Sequence, residues 1–456
     1  MLLVVCDALR YDALRMDHDG RPTAFTERLG SWITFDRCYA AAPWTLPAMQ
    51  ALLCGVDSTQ SRLRSRREGP TPTLIGRFDR LHRVALVNNG VIRTRSELAD
   101  GFDEFRWITD HAETFSRARA FLSGRSSDPA AFFLYVHTNL VHDYPQESGR
   151  REFARWFPSS AVPDIGARVL TWAGLEDKAD AVRKVYDACV LSFHEELEAL
   201  LEVTPLDRTV VVLIADHGEG MEPAIARIHH GGRLHDDLLH IPCVIHLPED
   251  AVDPAARARL VDLAARPFGA FELLPALLQV TGHGDGDGPP DVTADDAPLS
   301  DPSSSRVLRA EDPKYVYLAN RFRLNSNPRG KHTTAGARLR NRLWRRTLSR
   351  STLLQAFVDW PYKLLVTRME AANGVLAQLG RPVHRRVHRG RPLGLVRGRL
   401  WIGFELYDLS TDPGEASNLL PRRSDVAEAA WRLVECLEKG DTSHSVGSLV
   451  ASSPEQ

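Results

Sequence analysis

Three stretches of this chain carry residues able to do chemistry together. The first is Ala42-Pro-Trp-Thr-Leu-Pro-Ala-Met-Gln-Ala-Leu-Leu-Cys-Gly55, which sets the hydroxyl of Thr45 in a proline-flanked turn ahead of an apolar helical run. The second is Val210-Val-Val-Leu-Ile-Ala-Asp-His-Gly-Glu219, a buried-strand pattern that runs straight into Asp216 and His217. The third is the opening run Leu2 to Cys6, which ends at Asp7. A hydroxyl nucleophile with two carboxylates and an imidazole is the set a metal-assisted ester hydrolase needs.

Each piece has a plainer reading. An aspartate at a strand end usually closes a turn, and a threonine ahead of Leu-Pro ordinarily caps a helix. Asp-His-Gly after an apolar strand is the sharper signal. It sets a carboxylate beside an imidazole and follows them with a residue that lets the chain turn.

The elements that must position these groups alternate in type. Leu2–Cys6, Arg83–Asn88, Ala131–His137, Thr209–Ala215 and Ile241–His246 read as buried strands, and Ala179–Glu202 and Phe271–Val280 as helices. This alternation predicts an α/β layered fold with sites at the carboxyl edge of the sheet. Residues 282 to 305 are rich in Gly, Asp, Pro and Ser and mark the expected boundary. A catalytic domain is therefore expected over 1–300 and a smaller C-terminal domain over 301–456. Strands are predicted there around Tyr315–Leu318, Tyr362–Val366 and Arg399–Tyr407, with a helix over Val426–Lys439 and a frayed end from Thr442.

With 456 residues and 43% apolar composition the chain can bury a large core. Its 57 basic and 59 acidic side chains nearly cancel, so net charge selects no partner. Their distribution does: 321–400 holds 19 Lys and Arg against two acidic residues. Within it, Ala337–Arg350 could form a cationic helix with Leu339, Leu343 and Trp344 on one side. That segment reads either as a solvated face balancing the acidic loop 284–301 or as a surface for an anionic membrane or polyanion. No nucleic-acid motif is recognised. The six cysteines have no CxxC spacing and read as reduced core residues. No leader or membrane span is legible, which predicts a cytoplasmic protein, peripheral to a membrane if the basic segment binds one.

The chain resembles the sulfatase-like branch of the alkaline phosphatase superfamily. The resemblance lies in Val4-Val-Cys-Asp-Ala-Leu-Arg-Tyr-Asp12, Pro43–Gly55, Gly101-Phe-Asp-Glu-Phe105 and His137-Thr-Asn-Leu-Val-His-Asp-Tyr-Pro145. It continues in Asp216-His-Gly-Glu219, His230–Pro242 and Glu405-Leu-Tyr-Asp-Leu-Ser-Thr-Asp-Pro-Gly-Glu-Ala-Ser-Asn-Leu419. These segments keep the family's order and span nearly the whole chain. The resemblance implies a three-layer αβα domain with a large, mostly parallel mixed sheet and a smaller C-terminal α+β subdomain.

The departures point to the chemistry. Sulfatases that carry formylglycine make it from Cys or Ser in a Cys/Ser-x-Pro-x-Arg segment. Here Thr45 stands at that position and Met49 at the Arg position, so no formylglycine is expected. Thr resembles the nucleophile of phosphoesterase and phosphotransferase relatives. By carry-over, Asp7, Asp216 and His217 are metal ligands and the Thr45 oxygen closes the set. Ala8 replaces a second aspartate and His217 an asparagine, which favours zinc or manganese over calcium. A second metal site would lack its carboxylate, because Thr138 holds that position; one metal is expected, with a weaker second one recruiting His137 or Asp143 as the alternative. His142 and His230 would then grip the anionic oxygens or protonate the leaving group. Asn89 and His137 are expected to contact the substrate, while His229, His235, His240 and His246 read as structural. The activity implied is hydrolysis or transfer of a phosphate ester, a diester or phospho-headgroup. A sulfuric-ester hydrolase without formylglycine and a catalytically silent binding protein are the alternatives.

Overall fold

The structure, a computed structural model, describes residues 1–14, 24–56, 72–93, 96–125, 130–163, 179–222, 227–228, 230–231, 233–249, 252–283, 308–312, 353–370, 393–397, 400–420, 423–439, 441 and 444–451. The chain divides into two units. One comprises Met1–Gln60, Pro70–His230 and Asp237–Ser304; of the described residues, the other holds Gly231–Asp236 and those from Ser305 onward.

The first unit is built on a seven-stranded sheet. Its strands are β1 (Leu2–Cys6), β2 (Ile33–Thr34), β3 (His82–Asn88), β4 (Glu104–Trp107), β5 (Phe132–Thr138), β6 (Val211–Ala215) and β7 (Cys243–His246). They lie in the order β2-β7-β6-β1-β5-β3-β4. β6, β1, β5, β3 and β4 are parallel; β7 runs antiparallel to β6 and β2. Every residue of β1, β5 and β6 is buried, which is why these strands read as continuous apolar runs without alternation. The helices of this unit include α1 (Thr45–Cys54), α2 (His111–Gly124), α3 (Glu147–Trp156), α4 (Ala179–Glu202), α5 (Pro254–Ala264) and α6 (Leu273–Val280). α2 packs on β3 and β5, and α3 packs on α4. The α/β architecture read from the sequence is the one observed.

One register row organises the carboxyl edge. Cys6 pairs with Ala215 on one side and Thr138 on the other, and Thr138 pairs with Asn88. Asp7, Asp216, Asn139 and Asn89 are therefore the first residues past one row of four parallel strands.

The second unit carries an antiparallel sheet of β8 (Leu308–Asp312), β9 (Leu353–Asp359), β10 (Tyr362–Glu370), β11 (Leu393–Arg397) and β12 (Leu400–Asp408), in the order β8-β9-β10-β12-β11. Helix α7 (Ser424–Glu438) places Val426, Ala427, Ala430, Leu433 and Val434 in a core with Phe357, Leu364 and Phe404. On the same strand as Leu364, Lys363 Nζ, wholly buried, sits 2.6 Å from Asp236 Oδ1 and 2.9 Å from Glu415 Oε1. The strand expected at Tyr315–Leu318 and the cationic run 337–350 lie outside the described residues, as does the acidic loop 284–301. All six cysteines are free thiols. Among the described residues no helix is long and apolar enough to cross a membrane.

Candidate active site

Thr45 opens helix α1; it does not cap it. The cap position falls to Trp44, in extended backbone with no side-chain capping bond. The threonine hydroxyl is thereby released to face the sheet edge, where its Oγ1 lies 3.2 Å from Asp7 Oδ2 and 3.4 Å from His217 Nε2. It stands at the positive end of the helix dipole, which favours negative charge on that oxygen. At the other end Gly55, in the left-handed conformation at φ 66°, closes the helix with its N–H on the Ala51 carbonyl.

Asp7 and Asp216 are 1% and 2% exposed. Asp216 Oδ1 accepts hydrogen bonds from the backbone N–H of Ala8 (3.1 Å) and of His217 (2.8 Å). Asn89 Nδ2 donates to Asp7 Oδ2 at 2.6 Å, and Asn89 Oδ1 accepts from the N–H groups of Val91 and Ile92. Asp7 Oδ1 and Asp216 Oδ2 are left buried without a hydrogen-bond partner. Burial first, and then the charge of Asp216, raise the Asp7 carboxyl from 3.8 to about 7, against the pull of His142 and His217. Two carboxylates buried together with spare oxygens call for a cation.

His217 is wholly buried. Its Nδ1 is 2.7 Å from the Gly218 carbonyl, so it carries the proton and leaves the Nε2 lone pair free. That Nε2 stands 3.4 Å from Asp7 Oδ1 and 3.5 Å from Asp216 Oδ2. These separations are long for hydrogen bonds. They suit ligands sharing one ion, because tetrahedral donors at zinc–nitrogen and zinc–oxygen distances lie about 3.4 Å apart. The residues present thus fit a divalent metal, with an imidazole nitrogen offered beside two carboxylates. Gly218 serves less as a free hinge than as a close approach: a Cβ there would meet the Asp237 carbonyl oxygen at 2.2 Å.

Two histidine–carboxylate pairs stand beside this centre. His142 Nδ1 is 3.1 Å from Asp143 Oδ1, and His230 Nδ1 is 3.3 Å from Glu219 Oε2. The His230 ring centroid lies 4.4 Å from that of His217 and 5.2 Å from that of His142. Burial pulls the His142 pKa down, but Asp7, Asp143 and Glu219 outweigh it and raise it from 6.5 to about 10. His137 is wholly buried, and its Nδ1 is 2.7 Å from the Tyr135 hydroxyl. Burial lowers its pKa to about 4 and keeps the ring neutral.

Asp7, Thr45, Asn89, Asp216 and His217 are thus brought together, with His142 and His230 beside them. His235 is buried near Tyr407, 6.2 Å between ring centroids, and His240 stacks on Tyr11 at 3.9 Å. His246 bonds the Leu206 carbonyl, and His229 lies outside the described residues. Sequence reasoning did not single out Glu219, Tyr135 or Asn139, whose carboxamide approaches Asn89 Nδ2 to 2.8 Å. Glu219 was within reach: it ends the Asp216–Glu219 run, and only its pairing with His230 was not legible from the order of residues.

A parallel-stranded α/β sheet with a hydroxyl, two aspartates and an imidazole at its carboxyl edge has the groups that metal-assisted ester chemistry uses. The Sulfatase family pattern matches residues 1–283, and the chain belongs to that family of ester hydrolases and transferases. No curated protein sequence matches it. Among solved structures, a 2-O GAG sulfatase superposes with a TM-score of 0.58 at 16% identity, covering 100% of this chain and 96% of its own. A phosphonate monoester hydrolase of Agrobacterium radiobacter gives 0.53 at 15% identity, covering 96% and 94%. A protein of glycosaminoglycan metabolism from Bacteroides thetaiotaomicron gives 0.56 at 15%, covering 99% and 96%. At these identities the likeness is one of fold.

Proposed function

We propose that the protein hydrolyses or transfers phosphate esters, with Thr45 as nucleophile and one divalent metal, zinc or manganese, held by Asp7, Asp216 and His217. The observation that carries this reading is the Thr45 oxygen at a helix N-terminus, 3.2 Å from Asp7 and 3.4 Å from His217. When bound, the metal supplies Lewis-acid stabilisation of the alkoxide and of the ester oxygens.

The protein's own groups divide the remaining work. Thr45 gives up its proton along its bond to Asp7 Oδ2, and its oxygen attacks phosphorus as the ester P–O bond breaks. Protonated His142 holds the anionic oxygens, and His142 or His230 delivers the proton the leaving alkoxide needs. Asp143 and Glu219 fix the Nδ1 side of these two rings, so that each presents Nε2. Water or a second alcohol then attacks the phosphorus, giving up its proton to a histidine, and the Thr45 Oγ1–P bond breaks to return the hydroxyl and release the phosphoryl product. Asn89, whose amide already bonds Asp7, orients that carboxylate and is available to the transferred group. The basic segment 321–400 supports a negatively charged substrate or membrane surface as partner.

The test is a panel of nitrophenyl phosphate monoesters, phosphate diesters and sulfates on metal-loaded protein, with Thr45→Ala as control. Turnover of phosphate esters that Thr45→Ala abolishes is the expected result. Preference for sulfates would make it a sulfuric-ester hydrolase, the reading that the name of the 2-O GAG sulfatase neighbour would suggest. Metal binding without turnover of any of them would mark a silent binding protein.

A further inference from the structure

We infer that His137 is a ligand of the same ion, through Nε2, and not a residue that touches substrate. This rests on the metal-dependent reading above.

The placement comes first. His137 is the penultimate residue of β5, in register with Val5 of β1 and Val87 of β3, so it lies inside the sheet edge with no exposed surface. One of its ring nitrogens, an Asp7 oxygen and an Asp216 oxygen all lie within 4.8 Å of one another. Its Nδ1 is occupied by the Tyr135 hydroxyl, whereas its Nε2 is buried without a hydrogen-bond partner. Asp7 Oδ1 and Asp216 Oδ2 are buried and unpartnered in the same way. Three orphaned polar atoms in one buried cluster, two anionic and one imidazole, are each satisfied by a single cation and by little else.

Chemistry agrees with placement. A ligating imidazole must be neutral, and burial keeps this one so. Its other nitrogen should donate to an oxygen that fixes the tautomer, which the Tyr135 oxygen can accept, just as the Gly218 carbonyl does for His217. Two carboxylates and two imidazoles balance a divalent charge in a buried site. That donor set selects zinc, manganese or cobalt over calcium and magnesium. Thr45, within 3.4 Å of His217 Nε2 and 3.2 Å of Asp7 Oδ2, would add a further oxygen donor.

Full-length protein loaded with cobalt(II) decides this by proton NMR. Each imidazole bound through Nε2 gives one hyperfine-shifted, exchangeable Nδ1–H signal. Wild type should show two, from His137 and His217, and His137→Asn should lose one. In a chelator competition, the His137→Asn variant should bind cobalt at least about 100-fold more weakly. Tyr135→Phe should keep both signals and weaken binding about 10-fold. A single signal in wild type overturns the inference, whether or not the His137 variant folds. So does a folded His137→Asn protein that keeps wild-type affinity. Wild type that takes up no cobalt overturns the metal reading as well, whereas one that binds cobalt with a single imidazole overturns this inference alone.

Discussion

The Thr45 hydroxyl donates to Asp7 Oδ2 across 3.2 Å, although 38 positions separate the two residues. The bond exists because α1 starts at Thr45 and β1 ends just before Asp7. Neither element alone gives a reason for the contact, and its directness yields the first expectation. Thr45→Ala should reduce kcat by at least about a thousandfold while leaving metal content near that of wild type. Thr45→Ser should recover a measurable part of the rate, since the oxygen returns without the methyl that fixes its rotamer. Elemental analysis beside kcat separates the roles; Thr45→Ala protein that turns over normally removes Thr45 from the reaction.

Charge in the metal-free site should make stability depend on pH. Asp7 titrates at 3.8 when unfolded and about 7 when folded, so the folded state holds the extra proton in that window and stability falls as pH rises through it. His137, lowered from 6.5 to about 4, acts oppositely between those values. His142, raised from 6.5 to about 10, gives stability that is fully present below 6.5 and lost on the way to 10. The first two largely cancel below pH 6.5, leaving a decline above it. Chelated protein should therefore melt progressively lower from pH 7 to 9, and metal should protect it more at pH 8 than at pH 6, since binding must displace the Asp7 proton. Melting curves with chelator that rise over pH 7 to 9 would refute this balance.

Glu219 is wholly buried and holds the Nδ1 side of His230. Glu219→Gln keeps the shape but removes the charge that stabilises a protonated ring. It should lower kcat by about 10- to 100-fold for substrates with poor leaving groups and much less for nitrophenyl esters, whose departure needs no proton. Equal losses on both substrates would show that Glu219 supports structure and not proton delivery.

In the second unit, Lys363 is closed between Asp236 and Glu415, and burial raises the Glu415 carboxyl to about 7 against the pull of Lys363. Lys363→Met leaves two carboxylates facing each other and should cost about 3 to 5 kcal/mol. Adding Glu415→Gln should return part of that loss. Denaturant unfolding of the single and double variants measures both, and a double variant no more stable than the single one would contradict the triad.

Much of this protein was legible in its order of residues. Continuous apolar runs such as Leu2–Cys6 and Val211–Ala215 announce strands buried on both faces, because a strand covered on both sides has no reason to alternate. The polar residues that end those runs then fall at one sheet edge. Short strands were harder: Leu308–Asp312 and Leu393–Arg397 lack a strong pattern, since their stability comes from pairing with neighbours.

What the sequence by itself determined is the inventory: strand ends bearing Asp7, Asn88, His137 and Asp216, and a hydroxyl before a helix. The register decided the rest. Pairing Cys6 with Ala215 and Thr138 puts Asp7, Asp216 and His137 around one point, so that Asp7 and Asp216 share one charge problem and His137 faces inward with a nitrogen to spare. Tertiary structure also chose the helix start that freed Thr45 from capping. Local propensity speaks only for neighbours along the chain, whereas ligation and proton transfer depend on distances across it.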